Sequence, residues 1–104
     1  MALPAEIISL AAQVVDDLRA RGETLSTAES LTAGAVSSAI VTIAGASDVF
    51  VGSTTAYRDE IKISHLGVDP AIITEHTSVS EEVAVAMAQG ALKSFGTTWA
   101  IGTT

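Results

Sequence analysis

Ser30 and Lys62 are the side chains whose type and setting could support nucleophilic chemistry in this sequence. A serine hydroxyl needs a base to take its proton before it can attack. A β-prone run at residues 24–27 breaks at Glu29-Ser30, and residues 32–43 are rich in small and apolar side chains that suit a buried helix. Ser30 is therefore expected at a strand-to-helix turn, beside N–H groups that have no partner inside the helix. Those groups and the helix dipole favour an anion or a developing oxyanion. A nucleophile, a phosphate site and an ordinary capped helix start all fit that position.

The base is harder to find. His65 falls in a short amphipathic segment, and His76 in a polar stretch beside Thr74, Glu75 and Thr77; neither setting marks a catalytic imidazole. The Gly-x-Ser-x-Gly elbow is missing, because Ser30 stands between Ala28 and Thr32. The other base that serves a serine is a lysine desolvated by burial. Of the two lysines, Lys93 sits near a helix end, where a solvated cation complements the dipole. Lys62 comes just after a predicted strand, five residues past Tyr57. If neighbouring strands run parallel, the residues after each strand gather at one sheet edge, where α/β proteins hold ligands. Ser30 and the segment 57–62 then face each other. A surface lysine paired with Asp59 or Glu60 explains the same spacing. Arg58 is a further anion partner, or a solvated neighbour of Asp59. Glu29 can orient a hydroxyl, cap a backbone N–H, or simply end the strand.

The elements that position these residues follow from periodicity. Ile7, Ile8, Ala11, Val14, Val15 and Leu18 recur at helical steps, while Glu6, Gln13, Asp16, Asp17 and Arg19 lie mostly off that stripe. Pro4 suits the first turn of this helix and Gly22 its end. A short strand is predicted over residues 24–28, then a helix over 32–44 that stops near Gly45. That helix carries so little charge that both its sides are expected to be covered. Residues 48–57 read as a strand led by Val49, Phe50 and Val51. A short helix over 59–65 ends at Gly67, and Asp69-Pro70 opens another. A long helix runs to Ser94 from a cap at Ser78, with Glu81 completing a capping box, or at Ser80. Val83, Met87 and Leu92 are its expected buried residues. The last strand covers 98–102, after Gly96. This alternation predicts one α/β layered domain over residues 1–104, with three strands.

Composition narrows the function. The 48% hydrophobic content supplies a core, and the 4% aromatic content means it is built from Ala, Val, Ile and Leu. A formal charge of −7, from 12 acidic against 5 basic residues, disfavours nucleic acid and anionic membranes as partners. With no Cys and two His, neither a disulfide nor a dedicated metal site is expected. The start Met1-Ala2-Leu3-Pro4-Ala5-Glu6 lacks the basic segment of a signal peptide. The uncharged run 30–47 is too polar for a membrane span. A cytoplasmic protein is the expectation.

Three blocks resemble one family. Thr27-Ala28-Glu29-Ser30-Leu31-Thr32-Ala33-Gly34 is similar to the TAESCTGG signature of the CinA C-terminal domain, found in competence- and damage-inducible proteins and in stand-alone nicotinamide-nucleotide amidases. Tyr57-Arg58-Asp59-Glu60-Ile61-Lys62-Ile63-Ser64-His65-Leu66-Gly67-Val68 resembles the family's Tyr-Ser-Asn-x-x-Lys-x-x-Leu-Leu-Gly-Val. Val79-Ser80-Glu81-Glu82-Val83-Ala84 resembles its Val-Ser-Glu-Glu-Val-Ala. The order and spacing agree over nearly the whole chain.

The resemblance implies a three-layer α/β/α sandwich. It implies hydrolysis of the carboxamide of nicotinamide mononucleotide to nicotinate mononucleotide and ammonia, with no cofactor. Ser30 falls on the family's nucleophile, Lys62 on the base, and Tyr57 on a residue that relays a proton or supports the lysine. Glu29, Thr32, Ala33, Gly34 and Thr104 are expected against the substrate. Leu31 stands where the family has Cys, and Ala33 where it has Gly, which adds a Cβ beside the expected substrate path. Family domains run on past a Thr-Gly-Ile-Ala-Gly-Pro-like turn whose first residue aligns with Thr104, so the last strands and a basic substrate contact are expected to be missing. Two functions follow: an amidase impaired in this short chain, or a non-catalytic homologue that binds a phosphate or nucleotide or associates with itself. A homo-oligomer is expected, because an unpaired sheet edge invites pairing.

Overall fold

The structure, a computed structural model, describes residues 3–104. Its elements run α1 (Ala5–Arg21), β1 (Leu25–Glu29), α2 (Ala35–Val41), β2 (Phe50–Thr55), α3 (Asp59–Leu66), α4 (Pro70–His76), α5 (Glu81–Phe95) and β3 (Trp99–Thr103). The strands form one sheet in the order β2-β1-β3, and β1 runs parallel to both neighbours. Glu29 is in register with Thr55 on one side and Thr103 on the other. All three strands therefore finish level. Ser30, the segment that begins at Ala56, and Thr104 leave the sheet along one edge, the arrangement expected from the sequence.

β1 is buried along its whole length, and its alternation divides the core. Leu25 packs with Ala11, Val15 and Leu18 of α1 and Ile40 of α2. Ala28 points the other way, towards Leu66 of α3 and Val83, Met87 and Ala91 of α5. Helices thus cover both faces of the sheet, and the domain is a three-layer α/β/α sandwich. The polar residues of β1 survive burial because each has a partner. Ser26 Oγ lies 2.7 Å from Thr97 Oγ1, and Thr27 Oγ1 lies 2.8 Å from Ser37 Oγ. Close backbone approach fixes α5 in place. A Cβ at Gly90 would collide with the carbonyl of Leu66, at the end of α3, and one at Gly102 with the carbonyl of Ala84.

Several boundaries differ from expectation for local reasons. α2 starts at Ala35 rather than at residue 32, because Ala33 and Gly34 take positive φ, 49° and 99°, which no right-handed helix accommodates. It is also not covered all round: Ala39 and Ile40 are buried, whereas Val41 is exposed. A 3₁₀ turn at Ala46–Asp48 shortens the second strand to Phe50–Thr55. In α1 the buried stripe is Ala11, Val15 and Leu18, while Ile7, Ile8 and Val14 keep 37–41% of their surface exposed. Ser80, not Ser78, caps α5, accepting from the Val83 N–H at 3.2 Å. Ala91 takes the buried place expected of Leu92, which is half-buried. Gly67 ends α3 with φ 67°, and Asp69 caps α4 by accepting from Ala71 N–H at 2.9 Å.

Candidate active site

Ser30 follows directly on β1, and its N–H donates to Thr103 O of β3 at 3.0 Å. Its side chain points to the face of α3, where Oγ donates to the main-chain carbonyl of Tyr57 at 3.4 Å. Tyr57 lies just past β2 and Arg58 caps α3. One helical turn on, Lys62 Nζ returns to donate to the same Tyr57 oxygen at 2.7 Å. The hydroxyl and the ammonium thus share one acceptor, and the two distances together limit their separation. Lys62 is 2% exposed. A buried ammonium is tolerable only with partners. Besides Tyr57 O it has Asp59 Oδ1 at 3.5 Å. A cleft of about 710 Å³ opens over this edge, lined by Ser30, Tyr57, Arg58, Asp59, Lys62 and Thr104 among others.

Asp59 is held from its other side. Ser78 Oγ donates to both carboxylate oxygens at 2.7 Å, and Thr104 Oγ1 donates to the Ser78 carbonyl at 2.8 Å. The end of β3, the loop before α5 and the start of α3 are thereby tied together beside Lys62. The i, i+3 spacing of Asp59 and Lys62 was a visible signal of this cluster. The link to Ser78, 19 residues away, was not.

The remaining expected substrate contacts lie elsewhere. Glu29 is fully buried and does not line the cleft. Its Oε1 accepts from the N–H groups of Gly34 and Val36 at 3.1 and 3.0 Å, and its Oε2 from the N–H and hydroxyl of Ser37 at 3.0 and 2.6 Å. Burial alone would push its carboxyl up, but the Ser37 and Thr32 hydroxyls and the Val36 and Ser37 N–H groups outweigh it and hold the carboxyl below its ordinary range. Glu29 orders the turn that follows Ser30. Thr32 Oγ1 lies 2.7 Å from Thr103 Oγ1. Thr32, Ala33 and Gly34 line a separate cavity of about 370 Å³ together with Leu3, Ser38 and Thr42, so the Ala33 Cβ is not in the Ser30 cleft. Of the five residues expected against the substrate, only Thr104 shares the cleft with Ser30, Tyr57 and Lys62. Tyr57 presents its carbonyl to both side chains and, as a residue, is 72% exposed at the cleft. His65 and His76 are exposed and line no part of the cleft. Among the described residues no three His, Asp or Glu side chains gather as metal ligands would. Nor is any helix among them long and apolar enough to cross a membrane.

A parallel three-layer sandwich with a serine and a buried lysine converging at the carboxyl edge of its sheet defines a class of α/β domain with a ligand cleft at the strand ends. The chain belongs to the CinA C-terminal domain family, whose pattern matches residues 7–104. A CinA-like protein of Salinibacter ruber is 44% identical over 97 residues, covering 93% of this chain and 24% of the relative. One from Kosmotoga olearia is 48% identical over 89 residues, covering 86% of this chain and 22% of the relative. The crystal structure of the competence/damage inducible protein CihA from Agrobacterium tumefaciens superposes with a TM-score of 0.91 at 36% identity, covering 96% of this chain and 61% of that one. The competence damage-inducible protein A (ComA) from Klebsiella pneumoniae gives 0.88 at 32% identity, covering 90% and 58%. The chain therefore spans about a quarter of these curated relatives and about three fifths of these solved chains.

Proposed function

We propose that this domain is a nicotinamide-nucleotide amidase, which hydrolyses the carboxamide of nicotinamide mononucleotide to nicotinate mononucleotide and ammonia. The observation that carries this reading is the convergence of Ser30 Oγ and the buried Lys62 Nζ on the Tyr57 carbonyl oxygen. Lys62 Nζ takes the Ser30 proton as Oγ attacks the carboxamide carbon. The carbonyl electron pair moves onto oxygen. Main-chain N–H groups after Ser30 are the donors at hand for that oxyanion. Those of Ala33, Gly34, Ala35, Val36 and Ser37 are already taken by Ser30 O, Thr32 O and Glu29. This leaves Leu31 and Thr32, of which Leu31 lines the cleft, and one such donor is worth about 3–4 kcal/mol in other hydrolases. Collapse of the intermediate breaks the C–N bond, and the proton held by Lys62 goes to the departing nitrogen to give ammonia. A water then attacks the Ser30 ester, with Lys62 again taking a proton, and returns Ser30 to its hydroxyl. Tyr57 supports the lysine through its carbonyl oxygen. Thr104, through Ser78, keeps Asp59 beside it.

The test is ammonia release from nicotinamide mononucleotide. It is run on the 104-residue chain and on the same chain continued through the segment by which the solved relatives exceed it. Turnover that disappears in Ser30→Ala supports the reading. No ammonia from either form, or unchanged turnover in Ser30→Ala, contradicts it.

A further inference from the structure

Arg58 stands out among the cations of this acidic chain. Of the five basic residues, Arg19 is engaged with Asp16, Asp48 and the Gly45 carbonyl, and Arg21 lies 3.9 Å from Glu23. Lys93 lies in the last turn of α5, away from the cleft. Lys62 is in the cleft wall but buried, with Tyr57 O and Asp59 as its partners. Arg58 alone is both in the cleft wall and mostly exposed. Its main chain is fixed, because its carbonyl accepts from the N–H groups of Ile61 and Lys62 at 3.0 and 3.1 Å. Its guanidinium is engaged by Glu60, which also lines the cleft and is itself exposed.

We propose that Arg58 is the phosphate contact of this cleft and that Glu60 competes for it, so that the pair selects a phosphate-bearing ligand. The inference rests on the amidase reading and adds to it the part of the substrate away from the reacting carboxamide. Without Arg58, a phosphate entering the cleft meets the carboxylates of Asp59 and Glu60 and a lysine already paired. A guanidinium binds phosphate through two parallel N–H bonds, and a dianion competes well against a single solvated carboxylate. The family resemblance places Ser at this position, so the contact belongs to this chain and not to the shared motif.

The test is calorimetric titration of the non-turning-over Ser30→Ala protein, with and without a second change. The probes are nicotinamide mononucleotide, its riboside without phosphate, and inorganic phosphate. Arg58→Ser should weaken the nucleotide about tenfold and leave the riboside unchanged. Serine also keeps a good helix cap at that position, so folding is preserved. Glu60→Gln should tighten the nucleotide several-fold, again with no effect on the riboside. Weakened inorganic phosphate in Arg58→Ser supports the same contact for a free anion. Nucleotide binding that is absent, unaffected by Arg58→Ser, or changed equally for the riboside overturns the proposal. If the nucleotide binds through Arg58 and Ser30-intact protein releases no ammonia, the amidase reading fails while this contact stands.

Discussion

Glu29 Oε2 accepts from Ser37 twice, from its hydroxyl at 2.6 Å and from its main-chain N–H at 3.0 Å. With the two N–H groups on Oε1, a single buried carboxylate organises the start of α2 and the turn behind Ser30. Replacing it by Gln puts an amide NH₂ against those donors and should cost about 1–3 kcal/mol at neutral pH. The folded carboxyl lies below its ordinary value of 4.5. Its contribution is therefore complete above that pH and is lost as pH falls through the lower folded value. Urea denaturation of wild type and Glu29→Gln should show a gap at pH 7 that closes in acid. A gap that does not depend on pH would contradict this.

Ala33 holds φ 49°, a region where a Cβ is strained by about 1–2 kcal/mol. Ala33→Gly relieves that strain and adds freedom to the unfolded chain, for a net gain of about 0.5–1 kcal/mol. Because Ala33 lines the cavity beside α2 and not the Ser30 cleft, KM for the nucleotide should stay the same. Thermal melts and initial rates check both halves of this expectation.

Much of this was legible in the sequence. The parallel sheet and the meeting of Ser30 with the segment after β2 followed from strand–helix alternation. The limits of α3 and α4 followed from Gly67 and Asp69-Pro70, whose backbone preferences are local. The turn at residues 31–34 was not legible, because a non-glycine residue in left-handed conformation leaves no mark in periodicity. The role of Glu29 was hidden for a related reason: most of its partners are main-chain N–H groups, which are the same for any sequence. Asp59 and Ser78 look like a surface carboxylate and a helix cap until the fold brings α3 and the loop before α5 together.

Gly90 should not tolerate a side chain. Gly90→Ala forces α5 away from the end of α3, the helix that carries Lys62. The expected loss is about 1–3 kcal/mol in chemical denaturation. An unchanged midpoint would show that α5 can shift without cost.

Ser78→Ala removes both hydroxyl contacts that hold Asp59 beside Lys62. Small misplacements near reacting atoms cost rate more than binding. In the active protein kcat should fall about tenfold with KM little changed. A rise in KM at constant kcat would instead place Ser78 in substrate binding.

Whether Ser30 and Lys62 act as one unit is tested most directly by a double-mutant cycle on ammonia release from nicotinamide mononucleotide. Ser30→Ala, Lys62→Met and the double variant should each lower kcat/KM by about a thousandfold, with no further loss on combining them. Losses that multiply in the double variant, or substantial turnover in either single one, would contradict it.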